Sequence, residues 1–305
     1  MRPVRSVAGV PRMCGAVMGG RLLVAALLVV SLAPPSWANS LSDFAVFGGT
    51  NVFIWNGPTV SGQVGSNGAV FARASTLYGP VVGGGVFTSG GGNRIFGDMR
   101  FNGGVTLADT DKLFGEIYSS GYTAVALPPT MYPGDLPVSS GPLLSASVTL
   151  SAGSYRYDSI GGTLHLDLHP SQDPQHPIAV YVDGDVSLSN VSVSIWDGQQ
   201  YLPYAQAVAD PVLRALAQNV YFETGGSWFS TGEWFGLIYA PNSGASIWEG
   251  SNITGAVWAG QGVFLYTNSQ VNVIPEPITA VGLVLGVSAL AGVVRRRFAA
   301  SLRRG

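Results

Sequence analysis

The sequence predicts an all-β fold: an irregular β-solenoid (β-helix) with one short accompanying helix, plus an N-terminal signal peptide and a C-terminal transmembrane sorting helix. Three observations predict it. An apolar-x-Gly-x-apolar unit recurs about every 18 residues, the body is rich in glycine and poor in charge, and an apolar run stands near each end. The chain divides into residues 1–38 (signal peptide), 39–274 (solenoid body) and 275–305 (sorting segment).

At the N-terminal end, Arg21 precedes about eleven mainly apolar residues up to Leu32. That length suits a signal h-region and is well short of the roughly 20 apolar residues of a spanning helix. Pro34 and Pro35 break the helix, and small Ser36 and Ala38 flank Trp37, which places cleavage between Ala38 and Asn39. Met18 is an alternative start. Cys14 is the only cysteine and lies in the segment to be removed, so disulfides, thiolate nucleophiles and zinc–thiolate sites are excluded from the mature chain.

At the other end, Ile274-Pro275-Glu276-Pro277 leads into the uncharged run 278–294 and then Arg295, Arg296 and Arg297. Seventeen helical residues span about 26 Å, slightly less than a hydrocarbon core of about 30 Å. The arginines belong on the cytoplasmic side, which leaves the body outside. This order resembles the PEP-CTERM sorting signal of Gram-negative bacteria. The resemblance implies transient anchoring in the inner membrane, processing by an exosortase-type enzyme near Pro275–Pro277, and release to the cell surface or an exopolysaccharide matrix.

Between these ends, 39–274 holds 16 acidic and six basic residues, a net charge of −10. A body so acidic and so poor in lysine argues against nucleic acid as a partner.

The repeat is plainest between 52 and 121. Gly62, Gly79, Gly97 and Gly115 each sit inside an apolar-x-Gly-x-apolar unit, and Gly68, Gly85, Gly103 and Gly121 follow about six residues later. Short apolar stretches such as Val52-Phe53-Ile54 and Val70-Phe71 lie between. Each period reads as one coil, whose short strands stack on the coil before while glycine permits the corners. An antiparallel sandwich gives no reason for a fixed period. The fourth unit, Asp109 to Tyr118, fits either a coil or a short helix, since Leu113 and Ile117 are at helical spacing. The pattern returns at Phe235-Gly236 and Thr254-Gly255.

The centre is less regular. Pro128, Pro129, Pro133 and Pro137 predict an extended linker over 127–141. Strands are predicted at 147–150, 163–168, 178–182 and 186–195. Asp210-Pro211 opens a short helix through Gln218, with Asp as N-cap and Pro first. Strand resumes at 219–222. The ordered set Phe44-Ala45-Val46-Phe47, 61–65, 150–155, 164–167, 219–222 and Gly255-Ala256-Val257-Trp258-Ala259 resembles the bacterial ice-binding-protein-like β-solenoids and the exported "choice-of-anchor" proteins. That resemblance implies an irregular β-helix with a helix packed beside it. It implies no ice-binding residues here, for the sequence shows no regular outward threonine rows.

Three groups of residues invite a chemical reading. His165, Asp167 and His169 alternate with leucines and would share one strand face, a candidate divalent-metal set. Parallel side chains about 7 Å apart along one strand seldom converge on one ion, so the expectation is a solvated face without metal. Asp183-Gly184-Asp185 resembles a calcium turn but lacks the downstream ligands, and reads as a turn. Glu223, Glu233 and Glu249 lie near Trp228, Trp234 and Trp248, a mixture that suits a sugar subsite; the alternative puts the tryptophans in the core and at a capping end, with the carboxylates in solvent. No catalytic residue and no cofactor are expected. The function expected is a non-catalytic surface or matrix-associated adhesive protein, with matrix polysaccharide as a partner. The alternatives are a carbohydrate-active β-helix enzyme and an ice- or surface-binding protein.

Overall fold

A computed structural model describes residues 43–128, 130 and 136–273. The cleavage site Ala38–Asn39 and the sorting residues Pro275, Glu276, Pro277, Arg295, Arg296 and Arg297 lie outside the described residues. No described helix is long and apolar enough to cross a membrane.

The fold is a parallel β-solenoid with three strand faces. The first limb is regular. Its coils are β1 (Phe44–Gly48), β2 (Asn51–Trp55) and β3 (Thr59–Ser61); β4 (Gln63–Ser66), β5 (Ala69–Arg73) and β6 (Thr76–Tyr78); β7 (Val81–Gly83), β8 (Phe87–Ser89) and β9 (Arg94–Phe96); and β10 (Met99–Phe101), β11 (Val105–Thr106) and β12 (Lys112–Leu113). Then β13 (Ile117–Tyr118) pairs with β10. The segment open to either reading is therefore strand, because Leu113 and Ile117 extend ladders already begun by Ile95 and Met99.

The return limb has longer, bent strands: β14 (Leu143–Ser151), β15 (Gly153–Tyr157), β16 (Ile160–His169), β17 (Ile178–Val182) and β18 (Val186–Trp196). After the short β19 (Tyr201–Pro203) come β20 (Val220–Thr224), β21 (Trp228–Ala240), β22 (Ala245–Ile247), β23 (Asn252–Ala259), β24 (Gly262–Leu265) and β25 (Gln270–Asn272). The predicted strands are all present. An unpredicted helix, α1 (Tyr204–Ala209), precedes the predicted one, which is α2 (Pro211–Ala215) continued by a 3₁₀ turn over Leu216–Asn219. Asp210 caps α2 as expected, accepting from the N–H groups of Val212 at 2.7 Å and Leu213 at 3.3 Å.

Coil order in space departs from coil order in sequence. The first coil does not end the stack. On its far side β1 pairs with β23, β2 with β24 and β3 with β25, all parallel. The first limb thus climbs from the middle to one end, and the return limb begins at the other end and closes back onto β1–β3. On the first face the ladder runs β13–β10–β7–β4–β1–β23–β21–β20–β17–β15. Ten strands at about 4.8 Å make a stack about 43 Å long. Residues between Ser119 and Pro142 connect β13 at one end of the stack with β14 at the other.

Of these residues, Val125 and Pro128 are held against the first face. Asn67 brackets Val125, donating to its carbonyl and accepting from its N–H at 2.8 Å each, and Tyr239 donates to the Pro128 carbonyl at 2.5 Å. Phe47, Tyr239 and Trp258, which point outward on this face, are consequently buried.

The interior is a continuous column of Val, Ile, Leu and Phe from both limbs. Glycine holds the corners between the third and first faces. Gly79 has φ +150°, and a Cβ there would lie 2.6 Å from the Gly62 carbonyl oxygen. A polar ladder holds another corner: the Asn93 side chain accepts from the Ser75 N–H at 3.1 Å, and Asp111 accepts from the Asn93 N–H at 2.8 Å. Each coil caps the turn of the one before, so buried backbone donors stay satisfied.

Candidate functional site: an aromatic platform on the second face

The second face is the ladder β11–β8–β5–β2–β24–β22–β21–β18–β16–β14. In a strand alternate residues point outward. Val52, Ile54, Val70, Ala72, Val263 and Leu265 are fully buried or nearly so, which turns Phe53, Trp55, Phe71, Arg73 and Phe264 to the outside. Register then aligns Phe264, Phe53 and Phe71 in one row and sets Trp55 beside Arg73 in the next. Trp248 and Tyr266 follow directly on β22 and β24.

The rings form two clusters that meet at one cavity. Phe53 stacks on Phe264 at 5.0 Å and 3°, and Trp55 on Phe71 at 5.3 Å and 21°. Trp248 stacks on Tyr266 at 4.6 Å and meets Phe229 at 5.3 Å. The Arg73 guanidinium lies 5.0 Å from the centre of the Trp55 ring. A shallow cavity of about 190 Å³ opens among Phe53, Trp55, Phe264, Leu265 and Tyr266. Contiguous exposed apolar surface of this kind marks an interaction site. The row continues beyond Phe71 with Thr88 and Thr106.

The residues singled out in the sequence fare differently. His165 and Asp167 do meet: the imidazole Nε2 is 3.2 Å from the carboxylate, and Nδ1 is 2.8 Å from the Ser192 hydroxyl. Ser194 also donates to Asp167. His169 turns away to Trp196, with ring centres 5.5 Å apart. Among the described residues no group of three or more His, Cys, Asp or Glu is placed to hold a metal ion. A hydroxyl, an imidazole and a carboxylate in contact are the parts of a nucleophilic relay. Here they lie in register on the neighbouring strands β16 and β18.

Asp183-Gly184-Asp185 is the coil turn between β17 and β18. Asp183 pairs with Arg156 at 3.0 Å, and Asp185 accepts from the Ser227 N–H at 2.7 Å. Trp228 and Trp234 are core residues packed edge to face at 4.8 Å. Trp248 belongs to the platform instead. The carboxylates are not all in solvent, as expected for that alternative. Glu223 is completely buried on the first face, where Tyr221 donates to it. Burial, and then the Glu223 carboxyl, pushes the Tyr239 hydroxyl up to about 12. Glu233 accepts from the Val193 N–H at 3.3 Å, and only Glu249 is exposed.

No family model and no curated protein matches this chain. Among solved structures it is similar to an ice-binding protein from Shewanella frigidimarina, with 14% identity, 77% of this chain and 95% of that chain covered, and a TM-score of 0.42. An ice-binding protein from an Antarctic biological consortium gives 14% identity, coverage of 80% and 93%, and a TM-score of 0.44. A glycosylated ice-binding protein from an Arctic yeast gives 16% identity, coverage of 80% and 98%, and a TM-score of 0.43.

Proposed function

We propose that this chain is an exported, non-catalytic surface or matrix-associated adhesive protein that holds polysaccharide on the aromatic platform of its second face. The observation that carries the reading is the stacked rings of Phe53, Phe264, Trp55 and Phe71 beside an apolar cavity that Tyr266 also lines. Aromatic walls suit the C–H faces of sugar rings, and the Tyr266 hydroxyl supplies a polar handle at the edge. The array repeats along the stack at about 4.8 Å, so it offers similar contacts to successive units of a polymer. Export and sorting rest on the signal segment before Asn39 and on the Pro-Glu-Pro, apolar and arginine order after Ile274. An exosortase-type enzyme and the inner membrane are the partners that order calls for.

The test is binding of the full chain to a panel of neutral polysaccharides, with reducing-end release and ice recrystallisation assayed in parallel. Binding without turnover is expected, falling at least tenfold in Trp55→Ala/Phe264→Ser with an unchanged fold. Reducing ends released in proportion to enzyme would make the protein a carbohydrate-active enzyme. Inhibition of ice growth without glycan binding would make it an ice binder.

A further inference from the structure

We infer that the third face of the first limb is a second binding site, built for an anionic polysaccharide. The three faces of a coil diverge, so this site shares no side chain with the platform. Register places Tyr78, Phe96 and then Phe114 in one outward row across successive coils. The rings stack at 5.0 Å and 13°, then 4.6 Å and 2°, and are 50%, 39% and 56% exposed. Two residues earlier on each strand runs a parallel outward row, Thr76, Arg94 and Lys112, also in register. Buried Leu77 and Ile95 separate the two rows.

An aromatic ridge about 7 Å from a line of cations offers apolar contact and charge to one chain at once. Arg94 and Lys112 are exposed and make no ion pair or side-chain hydrogen bond among the described residues. The acids nearby are turned elsewhere. Asp111 accepts from the N–H groups of Asn93 and Ala108 at 2.8 and 2.7 Å. Asp98 accepts from the Glu116 N–H at 2.9 Å, and Glu116 accepts from the Tyr118 hydroxyl at 2.7 Å, both beyond the glycine corner. Asp109 stands in the preceding turn.

The distribution of charge over the body favours this end for a polyanion. Residues 39–128 carry five acidic and four basic residues, net −1, whereas 129–274 carry eleven and two, net −9. An anionic chain is repelled by the return limb and meets a nearly neutral first limb with its cations on the surface. Two separate sugar-binding faces on one rigid body would let a single molecule cross-link two chains.

The test uses the full chain with polygalacturonate, dextran sulfate and neutral dextran, and a single-stranded oligonucleotide as competitor. Binding to one or both acidic polymers is expected, weakening with added salt. Arg94→Gln/Lys112→Gln should lower it at least tenfold with an unchanged melting midpoint, and Phe96→Ser should lower it too. Arg94→Lys should retain it. The platform variant Trp55→Ala/Phe264→Ser should leave acidic-polymer binding intact, so failure of the platform reading and failure of this one are separable. No acidic-polymer binding, equal binding by the double glutamine variant, or tighter binding of the oligonucleotide would overturn the assignment.

Discussion

The two limbs solve the same stacking problem by different means. The first limb repeats three short strands per coil, with glycine recurring at one corner and the Ser75–Asn93–Asp111 ladder at another. The return limb uses strands of up to 13 residues, bent within one element, and its interior adds Trp228 and Trp234, where the first limb holds Phe87 and Phe101. Phe222, Trp228 and Trp234 pack edge to face there, with centroids 4.6 to 6.3 Å apart. A regular coil holds its shape through backbone geometry, while an irregular one depends on the volume and fit of particular side chains. The limbs should therefore fail under different substitutions.

The largest effect belongs to the return limb. Trp228→Ala should cost about 3–5 kcal/mol and Leu166→Ala about 2–5 kcal/mol, because each empties a site fully enclosed by other side chains. Chemical denaturation reads both. A loss under about 1 kcal/mol for either would mean that this limb tolerates cavities and that the contrast is misplaced.

In the first limb the sensitive positions are backbone ones. Gly79→Val should cost about 3 kcal/mol or more, since it combines a φ of +150° with a neighbouring carbonyl oxygen directly in the path of the new Cβ. Gly104→Ala separates the two causes. Its φ is +98° with no heavy atom within 4 Å of a Cβ, so strain alone should cost about 1 kcal/mol. Equal melting midpoints for the two variants would show that stacking at the glycine corner contributes nothing.

A smaller effect concerns acid. Partial burial tends to raise the Asp111 pKa, but hydrogen bonds from Ser89, Asn93 and Ala108 outweigh it and hold the carboxyl below its ordinary range. A carboxyl lowered on folding stabilises above its unfolded pKa, and that stabilisation is lost as pH falls through the folded value. Below about pH 4 the first limb should lose order at its outer coil, and Asp111→Asn should reduce that acid sensitivity while costing about 1 kcal/mol at neutral pH. Hydrogen exchange at Asn93 and Ala108 as pH is lowered is the measurement. Amide protection that is flat across that range would remove the ladder from the account.

The smallest effect is expected on the outer side of the return limb. Replacing His165 and His169 together by Gln should change stability by about 0.5 kcal/mol or less, since both side chains reach solvent and glutamine can still bond Ser192. Stoichiometric metal in the purified protein, lost with stability in this variant, would reverse that view.

The repeat, its glycine corners and the Asp210 cap were legible in the sequence because each is a local rule. Period, turn conformation and capping act within a few residues. The helix α1 carries no such mark: it has no side-chain cap, and its Tyr204 hydroxyl bonds Thr254, 50 residues away, at 2.8 Å. Burial of Glu223 was not legible either. It depends on strand pairing that sets Glu223 between Tyr181 and Tyr239 on neighbouring strands.

Coil order and the platform were settled in three dimensions. Every coil shows the same inward and outward alternation, so periodicity alone cannot say which edge meets which. Closure of β23, β24 and β25 onto β1, β2 and β3 brings Phe264 against Phe53, more than 200 residues away. The outward placement of Phe53, Trp55 and Phe71 follows from alternation within their own strands. Their union with Tyr266 and Trp248 follows from pairing between edges that carry no sequence mark, because parallel ladders are joined through backbone groups that every residue shares.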